Sequence, residues 1–306
     1  MADNEPTLVL LNPLAAGGRA HALRAPVAQW LETNAPQVRC HVPDGIGAAL
    51  ALIGSQATGS RVVLIGGDGT VHRMLPALLR RECTLGLVPL GSGNDTARAL
   101  GVAGMPWSQA LAHALSAPAT PMDLGELATA QGIVPFASSL TAGFDSAVGL
   151  RAIGAPPLLR GLPRYLWATL AELAALRAWP MTIAVDGVTV HEGDVLFASV
   201  LNTPSYGSGM PAVPHARIDD GRLDLLVAGR FGRAGVALMM PRLLAGRHLS
   251  HPRVKTLPLT AMTISSSVAV PLAGDGEPLG SAKSWHVVVR PAALQVVRRG
   301  ATPGKP

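Results

Sequence analysis

Charge is scarce in this chain. Only 14% of its 306 residues are Asp, Glu, Lys or Arg, against about 25% in an average soluble protein. Aromatic residues reach 4% and there are two cysteines, Cys40 and Cys83. Two cysteines exclude a disulfide framework and a Cys-rich zinc site, and read as reduced core thiols of a cytosolic protein. The shortage of aromatics argues against nucleic-acid binding, which needs stacking platforms among its cations. No membrane span is expected. A span needs about 20 apolar residues, and the best candidate, Ala155 to Pro180, is broken by Arg160, Arg164, Glu172 and Arg177. The opening MADNEP is acidic and polar, unlike a secretory leader. Also missing are a G-x-G-x-x-G turn, the lysine of a Walker loop, an H-E-x-x-H pair and any solenoid repeat.

Hydrophobic residues make up 48% of the chain, which excludes disorder. Length predicts two domains. The net charge of +6 is unevenly placed. Residues 1–150 hold eight Lys and Arg against ten Asp and Glu, a net of −2; residues 151–306 hold seventeen against nine, a net of +8. A basic half suits nucleic acid, anionic lipid or a polyphosphate.

Up to about residue 126, short apolar runs alternate with helical stretches. Strands are predicted at Thr7–Leu11, Val38–Val42, Arg61–Ile65 and Thr84–Val88. Helices are predicted at Ala20–Glu32, where Pro26 threatens a break, at Ile46–Ala57, and from the turn at Gly66–Thr70 to about Arg81. This pattern predicts a parallel sheet covered by helices. After about residue 127 strands dominate. Met181–Val185 and Val188–His191 read as a hairpin through Asp186-Gly187, which suits a type I′ turn. Val195–Leu201, Arg222–Val227, Leu257–Ile264, Val268–Leu272 and Trp285–Val289 complete a predicted β-sandwich.

Three Gly-rich turns follow predicted strands: Asn12 to Gly18, Gly66-Gly67-Asp68-Gly69-Thr70 and Pro89 to Asp95. Ligands of open α/β sheets bind at those strand ends. Glycines let backbone approach a phosphate, and a helix N-terminus attracts anions. Taken alone, each turn also reads as a plain tight turn.

Together the turns resemble the catalytic domain of the diacylglycerol kinase family, in particular its bacterial lipid kinases. The resemblance continues through Met122-Asp123-Leu124-Gly125, Gly143-Phe144-Asp145, Asn202-Thr203, Ile218 to Asp224 and Asp275-Gly276-Glu277. It implies an α/β nucleotide domain over residues 1–126, to which about 286–298 return, a β-rich lipid domain over 127–306, and a cleft between them. It implies transfer of the ATP γ-phosphate, with Mg²⁺, to a lipid hydroxyl. Asn12, Pro13, Leu14, Ala15, Ala16, Gly66, Gly67, Asp68, Gly69, Thr70, Val71, His72, Ser92 and Asn94 would line the nucleotide. Asp68, Asp95 and Asp123 would form an acidic, water-linked network near Mg²⁺, and Glu277 would be the general base. A structural Mg²⁺ would use Asp220 and the carbonyls of Arg217 and Arg222. Ala15-Ala16 departs from the family's usual Ser-Gly, Ser92 from its commoner Thr, and Pro43 from a Thr.

Diacylglycerol, monoacylglycerol, phosphatidylglycerol, sphingosine and ceramide all stay open as substrates, beside an NAD kinase and a non-catalytic lipid or nucleotide sensor. The implied partners are the lipid and an anionic membrane surface met peripherally, and a homodimer is allowed. Leu159, Leu162, Leu166, Leu170, Leu173 and Leu176 recur every three or four residues. Core packing is the favoured reading of that stripe. The alternative is a lipid port with Trp167 or Trp179, its headgroups met by Arg160 and Arg164.

Overall fold

The computed structural model describes residues 6–91, 93–130, 132–156, 158–159 and 162–300. Chain contacts divide them into two units, one of residues up to Asp123 together with those from Ala292 on, the other Leu124–Pro291.

The first unit is built on runs that are apolar on both faces. β1 (Thr7–Leu11), α1 (Arg24–Asn34), β2 (Cys40–His41), α2 (Ile46–Gly54), β3 (Arg61–Gly66), α3 (Asp68–Arg80), β4 (Thr84–Pro89), α4 (Asp95–Ala99) and α5 (Trp107–Ser116) follow one another. β1 pairs in parallel with β2 and β3, and β3 with β4. Every residue of β3 after Arg61 is buried, as is Thr84–Val88 of β4. That is the burial of strands covered on both sides. Val9, Leu11, Val63, Ile65 and Val88 pack with Val27 and Leu31 of α1 and Leu111 of α5.

Two local expectations shift. The Ala20–Glu32 stretch starts as a 3₁₀ turn (Ala15–Leu23), and the α-helix begins at Arg24. Pro26 therefore falls in a first turn, where a missing N–H breaks no helical bond. The Val38–Val42 strand shrinks to Cys40–His41 at the sheet edge. Cys40 and Cys83 are both free thiols, and burial pushes the Cys40 thiol up to about 11.

β5 (Ala119–Thr129) leads into the second unit, followed by β6 (Gly132–Phe136), β7 (Ser139–Gly143), α6 (Phe144–Ile153), α7 (Leu162–Ala174), β8 (Trp179–Val185), β9 (Val188–Leu201), β10 (Leu223–Gly229), α8 (Arg233–Leu244), β11 (Val254–Leu259), β12 (Ala261–Gly274) and β13 (Glu277–Val297). Its pairings are antiparallel: β11 with β10, β10 with β9, β9 with β7, β7 with β12, and β12 with β13. β8 pairs with both β9 and β12. One apolar core collects Phe136, Trp179, Ile183, Leu201, Leu225, Ile264 and Trp285. β13 then leaves this unit, and Gln295 and Val296 pair in parallel with Thr84 and Leu85 of β4.

The separate strands expected at Val188–His191 and Val195–Leu201 are one long strand, β9. The strand expected at Leu257–Ile264 is two, because the chain bends at Thr260 and leaves its pairing with β10 for pairing with β8 and β13. Asp186 holds that bend. Its Oδ1 accepts from the Thr260 amide (3.1 Å), the Thr260 hydroxyl (2.7 Å) and the Ala261 amide (2.8 Å). Those bonds hold its carboxyl below the ordinary range. Asp186 and Gly187 have φ of 47° and 84°, the backbone of a type I′ turn. Asp186→Ala removes three accepted bonds and the Asp tolerance of a positive φ. It should cost about 1 kcal/mol and a few degrees of melting temperature, read by thermal unfolding.

Candidate active site

In the first unit the loops after β3 and β4 meet backbone to backbone. A Cβ on Gly67 would lie 2.8 Å from the Gly91 Cα, and one on Gly91 would lie 2.6 Å from the Asn94 side-chain oxygen. Only hydrogen fits at both positions. Asn94, with φ of 57°, locks its loop by accepting from the Gly91 amide (2.8 Å) and donating to the Gly91 carbonyl (2.7 Å). Leu90 N–H donates to the Gly66 carbonyl at 2.8 Å.

Asp68 joins these loops. Its two carboxylate oxygens accept from the backbone amides of Asp95 (3.1 Å) and Thr96 (3.0 Å). A carboxylate there satisfies helix-terminal donors and meets the positive end of α4. Asp68 is thus an anchor for the third loop as well as the acid the sequence singled out. Asp95 is buried beside it.

The first loop is tied in by Asn12. Its side-chain amide donates to the Thr70 hydroxyl (2.8 Å), and its side-chain oxygen accepts from the Leu14 amide (3.0 Å). Ala16, Gly17 and Gly18 then run through three positive φ values, 54°, 69° and 90°. Asn12, Gly66, Gly67, Asp68, Thr70, Asn94 and Asp95 are therefore brought together. Pro13, Ala15 and the exposed Leu14 sit on the same first loop, and His72 is buried on α3. Val71, on the same helix, has its side chain wholly buried, so any part it takes in lining a ligand is through its backbone. Ser92 lies outside the described residues. Asp123 is buried and accepts from the Ala292 amide at 2.7 Å, so it fastens the returning segment.

The oxygen donors on these loops suit a hard cation held through water and phosphate. Among the described residues no three His, Cys, Asp or Glu side chains are grouped to hold a metal. In the second unit, Asp220 Oδ1 accepts from the Arg222 amide (3.1 Å), while the Arg217 guanidinium turns to Asp219 (3.3 Å). That loop offers Asp220 and backbone carbonyls, an all-oxygen set of the kind Mg²⁺ takes. Asp224 nearby has its carboxyl raised by burial, against the lowering effect of His215.

Glu277 opens β13, half-buried, across a tight turn from Gly274. Asp275 and Gly276 have φ of 49° and 82°, a second type I′ turn whose Asp-Gly signal is legible in the sequence. The residue that reasoning from sequence passed over is Asp275. Its buried carboxylate accepts from the amides of Ala137 (3.0 Å), Ser138 (2.6 Å) and Ser139 (3.1 Å) and from the Ser138 hydroxyl (2.8 Å). Asn202 grips the same segment, donating its side-chain amide to the Ala137 carbonyl (2.9 Å). Asp275 positions the turn that presents Glu277.

The same unit contains an apolar pocket lined by Phe144, Leu196, Phe197, Phe231, Met239 and Leu243, with Asp145, Tyr206 and His248 as polar members. Tyr206 donates its hydroxyl to Asp145 at 2.6 Å. Burial pushes the Asp145 carboxyl up to about 6, against the lowering effect of Tyr206 and Ser199. No spacing rule in the sequence pairs residues 61 apart.

A family model of the diacylglycerol kinase catalytic domain matches residues 6–127, and one of the YegS C-terminal NAD kinase beta sandwich-like domain matches residues 138–298. The chain is 31% identical over 295 residues to a diacylglycerol kinase of Mycobacterium tuberculosis, covering 94% of each. It is 32% identical over 240 residues to a protein named "Probable lipid kinase YegS-like" from Pseudomonas putida, covering 78% of this chain and 76% of the other. The structure of a diacylglycerol kinase from Bacillus anthracis superposes with a TM-score of 0.69 at 18% identity, over 98% of this chain and 99% of that one. Yeast NADH kinase superposes with a TM-score of 0.51 at 12% identity, over 97% and 84%. At these identities the two structures show a shared fold.

Two outcomes follow from the buried acids. Asp275→Ala strands three buried amides and should destabilise the fold by about 3–5 kcal/mol in urea unfolding, with Asp275→Asn milder. For Asp145, the unfolded carboxyl loses its proton near 4 and the folded one near 6. Native stability therefore falls as pH rises through that window, and the cost is complete above it. Asp145→Asn should exceed wild type in stability at pH 8 by no more than about 3 kcal/mol. The difference should close below about pH 4, read from melting temperature against pH.

Proposed function

The chain belongs to the diacylglycerol kinase family, and from that premise we propose that it transfers the γ-phosphoryl group of ATP to a hydroxyl of a diacylglycerol-like lipid. The observation that carries the lipid half of this reading is the apolar pocket of the second unit, whose polar members are Asp145, Tyr206 and the buried His248. An acyl chain suits its Phe, Leu and Met lining. Asp145 and Tyr206 would receive the polar part of such a lipid.

The nucleotide half rests on the three interlocked loops. Backbone amides of Gly67 to Gly69, at the start of α3, would face the phosphates. Asn12 and Thr70 would hold the first loop against them. ATP would bring Mg²⁺, which neutralises charge developing on the transferred group. Asp68, Asp95 and Asp123 would order water around it. Asp220, with the carbonyls of Arg217 and Arg222, would hold a separate structural Mg²⁺.

The chemistry left to the protein is proton removal and alignment. Glu277 would accept the proton of the lipid hydroxyl as its oxygen forms the bond to the γ-phosphorus and the bond to ADP breaks. Asp275, by fixing the turn, would keep that carboxylate aimed. The NAD kinase alternative rests on fold likeness alone, while both family relatives described above are named for lipid or diacylglycerol.

A radiolabel transfer assay over diacylglycerol, monoacylglycerol, phosphatidylglycerol, sphingosine, ceramide and NAD tests this reading. Label should enter a glycerolipid. Glu277→Gln should lower turnover by roughly 10²- to 10⁴-fold while binding of an ATP analogue stays unchanged. Label in NAD alone, or a folded Glu277→Gln protein with normal turnover, overturns it.

A further inference from the structure

Helix α7 is turned inside out. Its two charged side chains point inward. Glu172 is buried and pairs with Arg151 of α6 at 2.5 Å. Arg164 donates to the backbone carbonyls of Ala152 and Ile153 at the end of α6, where a cation also meets the helix dipole favourably. The exposed positions are Pro163, Tyr165, Leu166, Trp167, Leu170 and Ala174, so a helix of 13 residues shows water an uncharged, mostly apolar face. A surface helix ordinarily does the reverse. The leucine stripe expected to pack in the core does so only in part: Leu166 is 53% and Leu170 66% exposed. Ile153, at the end of α6, is 58% exposed.

The chain segments that carry this face are basic in sequence, with Arg230 of the second paired to Asp194 at 3.4 Å. No acid stands between Asp145 and Glu172, and none between Asp224 and Asp275. The latter stretch carries Arg230, Arg233, Arg242, Arg247, Arg253 and Lys255. Helix α8 lies in that stretch and packs on α7; its Arg233 donates to the Leu173 and Ala174 carbonyls (3.2 and 2.6 Å). Arg242 and Arg247 are exposed. α8 also supplies Val236, Met239, Met240 and Leu243 to the apolar pocket.

We propose that the outer face of α7, with Ile153 and the arginines of α8, docks this protein on an anionic lipid bilayer. Tyr and Trp favour the membrane–water interface. An apolar helix face in the plane of that interface gains from burial, and flanking arginines gain from anionic headgroups. Among the described residues no helix is long and apolar enough to cross a membrane, so this contact lies on the surface. The inference deepens the lipid-kinase reading and rests on it for its purpose, since the docked helix packs on the one that walls the pocket.

Vesicle co-sedimentation of the full chain tests it, with phosphatidylcholine alone and with added phosphatidylglycerol, at low and high salt. Wild type should bind the anionic vesicles better, and salt should weaken that preference. Leu166→Glu with Leu170→Glu should bind at least roughly tenfold more weakly. Because both positions are exposed, the variant's circular dichroism and melting temperature should match wild type. Its phosphoryl transfer to a detergent-dispersed lipid should also be unchanged. Equal vesicle binding by variant and wild type overturns the proposal. So does a wild type that ignores vesicles and forms a dimer split by the same variant, for then the face joins two copies. Failure of the kinase reading looks different: vesicle binding persists while no lipid is labelled.

Discussion

The Asp275 carboxylate, accepting from three successive amides and a hydroxyl, is the interaction around which the second unit is arranged. A buried charge is costly unless hydrogen-bonded, and here the donors are backbone groups that would otherwise lie unpaired in a core. One side chain thereby joins the β12–β13 turn to the segment before β7, 136 to 138 residues away in sequence. The first unit uses the same device. Asp68 ties the loop after β3 to the start of α4, and Asp123 ties the returning segment through Ala292. Asp186 does it again at the surface. In a chain so poor in charge, these acids serve largely as staples between distant stretches of backbone.

The apolar surplus has a parallel explanation. Part of it lies in the two cores, part lines the pocket around Asp145, and part is left outside on α7. The pocket and the exposed face share α8 as a neighbour. A hydrophobic pocket whose polar members are a carboxylate, a phenol and a histidine suits a molecule with one polar end. An exposed apolar face beside arginines suits the surface where such molecules reside. The net charge of +6 conceals this, because the acids lie mainly in the first half and the cations in the second.

Much of the architecture was legible because local chemistry and final structure agree. Continuous apolar runs marked β1, β3 and β4 to within a residue, since a strand covered on both faces tolerates nothing else. Asp186-Gly187 marked its hairpin because few other pairs accept two positive φ values. The glycine loops were legible as candidate phosphate cradles. That Gly67 and Gly91 must touch was not, since the pattern of either loop alone says nothing of the other. Leu257–Ile264 misled because no turn signal interrupts it at Thr260, where the bend is held by Asp186, 74 residues away.

The sequence by itself determined the order of strands and helices, the tight turns and the family motifs, all set by interactions between near neighbours or by a required residue type. Tertiary structure alone decided which side of α7 faces water, which acids are anchors, and that Asp145 meets Tyr206 in an apolar pocket. A periodic leucine stripe states that a helix has an apolar face but not what covers it. A carboxylate states that it can accept hydrogen bonds but not whose. Both depend on partners brought close only when the chain has folded.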